Sequence, residues 1–206
     1  MARDTQSIVK MSRREGYALH PKAHKALVKR STPPGQKAGG SFRRQKISQY
    51  SIQLREKQKV KRLYGLLERQ FRNLMEEASR THGQSGATLL QYLERRLDNV
   101  VYRAGFAVSR RAARQLVTHG HFELNDRRVD IPSIRVKADD KIVLRAAARK
   151  NEYFKNLDQT SPAPVAIPAW LKVSRKSYQV TVTGSPTRDD AEPDIKEQLI
   201  VEYYSR

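Results

Sequence analysis

The spacing of apolar residues changes at Gly120, and that change limits the folds open to this chain. Before it, RRAARQLVT (110–118) carries small and apolar residues at helical intervals. With Arg110 at 0° and about 100° per residue, Ala112, Leu116, Ala113 and Val117 fall between roughly 200° and 340°, and Arg110, Arg114 and Arg111 between 0° and roughly 100°. The spacing predicts a short helix with cations on one face and packing residues on the other. Ser109 is placed to cap its start, and Gly120 lies past its end. After Gly120 the period is two: Phe122 and Leu124 alternate with Glu123 and Asn125, then Val129 and Ile131 with Arg128 and Asp130. Asn125–Asp126 is expected as a two-residue hairpin turn, with Pro132 keeping the second run at a sheet edge. Ile134 with Val136, and then Ile142 to Leu144, read as further strand pieces.

Helical spacing dominates upstream. Ile47, Tyr50, Leu54 and Val60 make a narrow stripe on an expected helix over 48–62, surrounded by Arg55, Lys57, Lys59, Lys61 and Arg62. Leu67, Phe71, Leu74, Met75 and Ala78 define a helix over 66–80, and Leu89, Leu90, Leu93, Leu97, Val100 and Val101 a strong helix over 88–103. Downstream, 146–158 is expected to be helical on Tyr153, Phe154 and Leu157. TSPAPVAIP (160–168) reads as a loop, Tyr178, Val180 and Val182 as a last strand, and 194–203 as a closing helix on Ile195, Leu199 and Ile200. The expected fold class is α+β: a mostly helical domain closed by the C-terminal helix, a second domain of helices with an antiparallel sheet, and an extended basic N-terminal arm. The expected boundaries are 1–45 for the arm, 46–87 with 191–206 for the helical domain, and 88–190 for the second.

Charge narrows the partner. Lys and Arg number 41 against 21 Asp and Glu, a net charge of +20. Residues 1–62 hold 17 of the bases and 3 of the acids. Such a surplus points to a polyanion. Residues 1–45, with TPPGQKAGGSFRRQK, cannot bury enough surface alone to offset their ordering entropy. They read as a disordered basic tail or as an arm that orders against RNA phosphates; the Pro33–Pro34–Gly35 cluster favours the arm. Asp189 to Glu202 is acidic and suits either a basic neighbour or the chain's own helical domain. There is no cysteine, so disulfides and thiolate metal sites are excluded. His20 and His24 share a helix face without further ligands. No apolar run approaches the ~18 residues that span a bilayer. The N-terminus lacks the apolar core of a secretory signal, so a cytosolic protein is expected. A membrane-surface role would need an exposed apolar wedge beside the cations, which is missing.

The run LLQYLERRLDNVVYRAGFAVSRRAARQLVTHGHFELNDRRVDIPSIRV (89–136) resembles the RNA-binding module named after bacterial small-subunit ribosomal protein four. The module core spans about 96–156. Pseudouridine synthases, some tyrosyl-tRNA synthetases and a heat-shock RNA-binding factor carry similar modules. The start MARDTQ, the PPGQ turn, KISQYSIQLREKQKVKRLYGLLERQFRNLMEEA (46–78), PAWL (168–171) and the terminal EQLIVEYYSR together resemble the ribosomal family itself, in order and over the full length. Two departures stand out. Ala138–Asp139–Asp140 occupies the place of the family's Gly–Asp, and the hairpin turn is Asn125–Asp126 in place of Asn–Gly. The cysteine zinc cluster of some members is missing.

The resemblance implies a structural constituent of the small ribosomal subunit. It would bind a multi-helix junction of 16S ribosomal RNA, nucleate assembly of the subunit body and, with ribosomal protein five, influence accuracy. Its other expected neighbours are ribosomal protein three and mRNA where it enters the subunit. Recognition is expected through phosphates and shape, not base edges. The candidate RNA contacts in the arm are Arg3, Arg13, Arg14, Arg43, Arg44 and Lys46. In the helical domain they are Arg55, Lys57, Lys59, Lys61, Arg62, Arg69 and Arg72. In the module they are Arg103, Ser109, Arg110, Arg111, Arg114, His119, His121, Arg127 and Arg128. No catalytic residue, metal or cofactor is expected. RRLDN (95–99) resembles the sequence around the catalytic Asp of pseudouridine synthases, but too few residues follow the module for their catalytic domain. Asp98 is expected to pair with an Arg or cap backbone.

Overall fold

The computed structural model describes residues 4–35, 48–164 and 166–205. In chain order its helices are α1 (Ile8–Glu15), α2 (Pro21–Lys29), α3 (Gln49–Leu63), α4 (Glu68–Arg80), α5 (Ser85–Glu94), α6 (Leu97–Arg103), α7 (Arg110–Thr118), the single turns α8 (Glu152–Lys155) and α9 (Leu157–Thr160), and α10 (Glu197–Tyr204). The strands are β1 (Phe122–Leu124), β2 (Arg127–Val129), β3 (Lys141–Leu144), β4 (Leu171–Ser174) and β5 (Gln179–Val182). The class is α+β. The chain forms two units, Met1–Thr88 with Asp194–Arg206, and Leu89–Pro193. No helix among the described residues is long and apolar enough to cross a membrane.

The first unit is helical. α4 turns Phe71, Met75 and Ala78 inward at the expected spacing, and α10 closes the core with Ile200. α3 packs on α10, and the predicted stripe holds only in part: Val60 is buried and the Tyr50 ring lies 5.7 Å from that of Tyr203 on α10. The buried face of α3 is Gln53, Lys57, Val60 and Leu63, whereas Tyr50 is exposed and Leu54 only half-buried. Ile47 lies outside the described residues. Two polar side chains go inward because each finds an acceptor: Gln53 Nε2 donates to Glu202 Oε2 at 2.7 Å and Lys57 Nζ to Glu68 Oε1 at 2.6 Å. Gly86 lets α5 approach α10, since a Cβ there would stand 2.8 Å from Glu197 Cγ.

The segment expected as an extended arm carries α1 and α2 in its described part. Met11, Leu19 and Ala23 are too sparse for a clean period, yet all three are buried, with α1 packed on both α2 and α3. His20 Nδ1 accepts from Lys22 N–H at 3.0 Å and caps α2, with Pro21 at its first position. The turn expected at Pro33–Pro34–Gly35 forms at Pro34–Gly35.

The second unit holds one antiparallel sheet in the order β2-β1-β3-β5-β4. The register pairs Phe122 with Val129 and Leu144, Ile142 with Val180, and Leu171 with Val182. These residues alternate onto a core shared with Leu97, Val101, Val117, Phe154 and Trp170. The predicted hairpin is present: Asn125 (φ 49°) and Asp126 (φ 63°) make its turn, both left-handed as a type I′ turn requires. β2 is an edge strand. Asp139 also has a left-handed backbone, φ 67°, so it meets the conformational demand that glycine meets more easily.

Four local expectations change. The helix over 88–103 breaks at Arg95–Arg96, where Arg96 is extended (φ −65°, ψ 137°). Leu97 N–H donates to Ile134 O at 2.8 Å, Asp98 N–H to Pro132 O at 3.2 Å, and Val136 N–H to Arg95 O at 2.9 Å. Residues 132–136 therefore satisfy the break rather than extend the sheet, and only an isolated bridge, Arg96 to Arg135, remains. Residues 146–158 form a 3-10 turn (Ala148–Lys150), then α8 and the start of α9, because Phe154 and Leu157 are buried from separate single turns. Finally, β4 is a strand that the short alternation Leu171, Val173 did not announce.

Candidate nucleic-acid interface

α7 is built as its sequence specifies. Ser109 Oγ accepts from Ala112 N–H at 3.3 Å, and Ala113 and Val117 face the core. Ser109 itself is buried, so its hydroxyl serves the helix rather than a ligand. The cations divide into two groups. Arg111 and the following His119 are exposed. Arg110 and Arg114 instead turn onto α6. Arg110 Nε donates to Asn99 Oδ1 at 2.9 Å, its Nη2 to Glu192 Oε1 at 2.9 Å, and its guanidinium lies 4.7 Å from the centre of the Tyr102 ring. Arg114 Nη1 donates to Asp98 Oδ2 at 3.2 Å. Arg103 grips the buried Glu94 with two bonds, Nε at 3.1 Å and Nη2 at 2.9 Å, and also donates to Asp190 O at 3.1 Å. Arg103, Arg110 and Arg114, all predicted module contacts, thus have acidic or polar partners inside their own unit, and the acidic stretch supplies Glu192 as one of them.

A second cluster forms where α7 meets the hairpin. Arg128 packs on Gly120, whose φ is +69°; a Cβ there would stand 2.7 Å from Arg128 Nε. Arg145 Nη1 donates to Gly120 O at 3.3 Å, and its Nε lies 3.4 Å from Glu123 Oε1. The rings of His119 and His121 are 5.9 Å apart, and His121 meets Phe154 edge-on at 5.7 Å. Burial, then the charges of His119 and Arg145, hold the His121 imidazole below the usual histidine range. Arg127 and Arg128 are exposed on β2. Arg111, His119, His121, Arg127 and Arg128 are thus carried on α7, the hairpin and the link between them. Arg145 joins them unpredicted. Only the pairing of β1 with β3, which sets Arg145 N–H against His121 O at 3.0 Å, brings it there.

In the first unit the basic run of α3 is largely paired internally. Arg55 and Arg62 both bond Glu15 Oε1, whose side chain is fully buried. Burial pushes the Glu15 carboxyl up against the pull of these arginines. Lys57 is 3% exposed and its Nζ sits 4.4 Å over the Tyr203 ring, so it cannot reach a phosphate without leaving the core. Lys59 Nζ donates to Asp194 O at 2.7 Å and pairs with Glu56 at 2.8 Å; Lys61 Nζ donates to Glu68 Oε2 at 2.9 Å. Burial alone would raise Glu68, but hydrogen bonds and charge from Lys57 and Lys61 outweigh it and lower the carboxyl to about 2. Arg14, Arg69 and Arg72 are exposed, Arg72 pairing with Glu76 one turn on at 3.1 Å. Arg13 Nε donates to Thr32 O at 3.0 Å. Arg3, Arg43, Arg44 and Lys46 lie outside the described residues.

Residues 3–94 match the family described as Ribosomal protein S4/S9 N-terminal domain, and residues 95–142 match the S4 domain. Full-length relatives described as small ribosomal subunit protein uS4 are similar throughout. Those of Herpetosiphon aurantiacus (52% identical), Chloroflexus aurantiacus (51%) and Clostridioides difficile (49%) are each matched over 100% of both chains. The chain belongs to the uS4 family. Membership makes it a ribosomal protein with an RNA-binding S4 module.

Within this uS4 chain, Asp98 has its carboxylate fully engaged. Arg96 donates to it twice, at 3.1 and 2.9 Å, Arg114 once at 3.2 Å, and the Asn99 N–H once at 3.0 Å. Asp98 is 4% exposed. The arrangement clamps the α5–α6 break to α7, and it is the local pairing expected for this residue.

Proposed function

We propose that this chain is a structural, non-catalytic constituent of the small ribosomal subunit. It binds a multi-helix junction of 16S ribosomal RNA, helps nucleate assembly of the subunit body in the cytoplasm, and contacts ribosomal proteins five and three near the incoming mRNA. Through protein five it influences accuracy. The observation that carries the RNA-binding reading is the set of exposed cations on α7 and the hairpin: Arg111 in the first turn of α7, and Arg127 and Arg128 on β2, with Arg128 packed on Gly120. Arg128 is braced against a glycine that leaves room for it, and the internally paired Arg110 and Arg114 hold α7 in place. Guanidinium forks suit paired bonds to one phosphate, and a fixed spacing of such forks reads the shape of folded RNA.

Chemical probing of small-subunit rRNA with the purified chain tests the reading. The expected result is protection confined to one multi-helix junction. If about five phosphates are neutralised, tripling the salt should lower affinity by roughly a hundredfold through counterion release. Absence of any protected junction, or an affinity indifferent to salt, would refute it.

A further inference from the structure

We propose that Glu192 is a specificity determinant: its carboxylate, held by Arg103 and Arg110, withholds this arginine pair from the backbone of RNA other than the cognate rRNA. The inference rests on the rRNA-binding reading above and adds a means of rejecting other RNA. Glu192 Oε1 accepts from Arg110 Nη2 at 2.9 Å and lies 3.5 Å from Arg103 Nη2. One carboxylate oxygen thus faces two guanidinium groups, a place that a phosphate oxygen would also suit. Both arginines are fixed from within. Arg103 is bonded twice to the fully buried Glu94, and Arg110 is bonded to the buried Asn99 and lies over the Tyr102 ring. The side chains of Glu192, Arg103 and Arg110 are 23%, 19% and 12% exposed, so the cluster is partly open to solvent. Glu94 and Glu192 together balance the two arginines, and without Glu192 one positive charge is left over.

The segment that carries Glu192 has other anchors. Ala191 is buried, and its N–H donates to Arg188 O at 3.2 Å. Asp190 Oδ2 closes a turn by accepting from the Thr187 N–H at 2.7 Å and the Thr187 hydroxyl at 2.9 Å. Asp190 O accepts from Arg103 Nη2 at 3.1 Å. A partly exposed ion pair adds little to stability beyond such anchors. What the Glu192 carboxylate changes is the number of cations offered to a polyanion. Sequence-independent affinity for RNA grows with each phosphate that a cation neutralises. Discrimination is a difference of affinities, and lowering the weaker one widens it. In a chain of net charge +20, binding to arbitrary RNA is a standing competitor. The cognate rRNA is bound through the exposed Arg111, Arg127 and Arg128, so covering Arg103 and Arg110 subtracts more from other RNA than from its own.

The test compares the full-length chain with Glu192→Gln and with Asp189→Asn, a control that removes the same charge from an exposed position of the same segment. Each is titrated with the small-subunit rRNA fragment protected in chemical probing and with a regular RNA duplex of matched length, over a range of salt. The fluorescence of Trp170, buried in the second unit's core, first establishes that each is folded. Glu192→Gln should bind the duplex roughly fivefold more tightly, with a salt slope steeper by about 1, and bind the rRNA fragment within about twofold of wild type. Asp189→Asn should change neither affinity by more than about twofold, since an exposed charge is screened. The Nε–Hε resonance of Arg110 should shift with the duplex in Glu192→Gln and stay in place in the wild type. No gain for the duplex, an equal gain for both RNAs, or an equal gain in Asp189→Asn would overturn the proposal and leave the rRNA reading intact. So would an Arg110 resonance that moves with the duplex in the wild type, a result readable even if the variant failed to fold. If the wild type does not prefer the rRNA fragment to the duplex, the rRNA reading falls and the proposal with it.

Discussion

Replacing Asp98 by Ala should cost the second unit far more than an ordinary surface change. Its carboxylate accepts four hydrogen bonds, two from Arg96, one from Arg114 and one from the Asn99 backbone. The side chains of Asp98 and Arg96 are 6% and 5% exposed, and that of Arg114 is 14%. Deleting the anion leaves the nearly buried Arg96 guanidinium without its counter-charge and takes one partner from Arg114, which places the loss at about 3–5 kcal/mol. At roughly 4–8 °C per kcal/mol for a domain near this size, melting should fall by more than 10 °C. Asp98→Asn keeps the shape and an acceptor, and should lose about half as much. Trp170 is the chain's one tryptophan, and it is buried in the second unit's core, so its fluorescence in a urea titration reports that unit. A local probe is needed because a chain of two units need not unfold in one step. Adding Arg114→Gln to the Ala variant should restore part of the loss by removing a positive charge that Asp98 no longer offsets. A midpoint shift in Asp98→Ala worth less than about 0.5 kcal/mol would refute the clamp and reopen a functional role for this residue.

Three further outcomes follow from the same contacts. Arg111→Gln should leave the Trp170 transition within about 0.5 kcal/mol of wild type and weaken rRNA binding severalfold, with a salt slope shallower by about 1; Arg110→Gln should lower stability first, and equal stability in the two variants would contradict the division of α7 into outward and inward cations. Gly120→Ala forces a side chain into a left-handed backbone and against Arg128, so it should cost at least about 1–2 kcal/mol and weaken rRNA binding through the displaced guanidinium; an unchanged melt would show that the glycine has no such role. Glu68 gives a pH prediction of defined sign. Its carboxyl is lowered to about 2 in the folded chain, so its contribution is present above the unfolded value near 4.5 and is lost as pH falls toward 2. Glu68→Gln should flatten the acid limb of the first unit's unfolding, followed by tyrosine near-ultraviolet dichroism, and an unaltered acid limb would contradict the assigned pairing with Lys57 and Lys61.

The elements that were legible in sequence are those whose signals are local. The Ser109 cap, the Ala113–Val117 face, the Asn125–Asp126 turn and the Phe71–Met75–Ala78 stripe each depend on neighbours within a turn or a hairpin. α1 and α2 escaped because Met11 and Ala23 draw their burial from partner helices and not from a stripe of their own. The break at Arg96 escaped because the acceptors that pay for it, Pro132 O and Ile134 O, arrive from more than 30 residues away.

By itself the sequence determined that a basic chain would pair a helical region with a hairpin-bearing module, because period, caps and turn chemistry act over a few residues and charge is a simple count. Which cations face outward was decided only by the tertiary structure. A helical wheel places Arg110 and Arg111 on one polar face, but Glu192 approaches from 82 positions along the chain to take Arg110, while Arg111 stays exposed. Lys57 shows the same principle from the other side: its ammonium is buried because Glu68 and two tyrosine rings surround it, and no periodicity records a partner that folding brings from elsewhere.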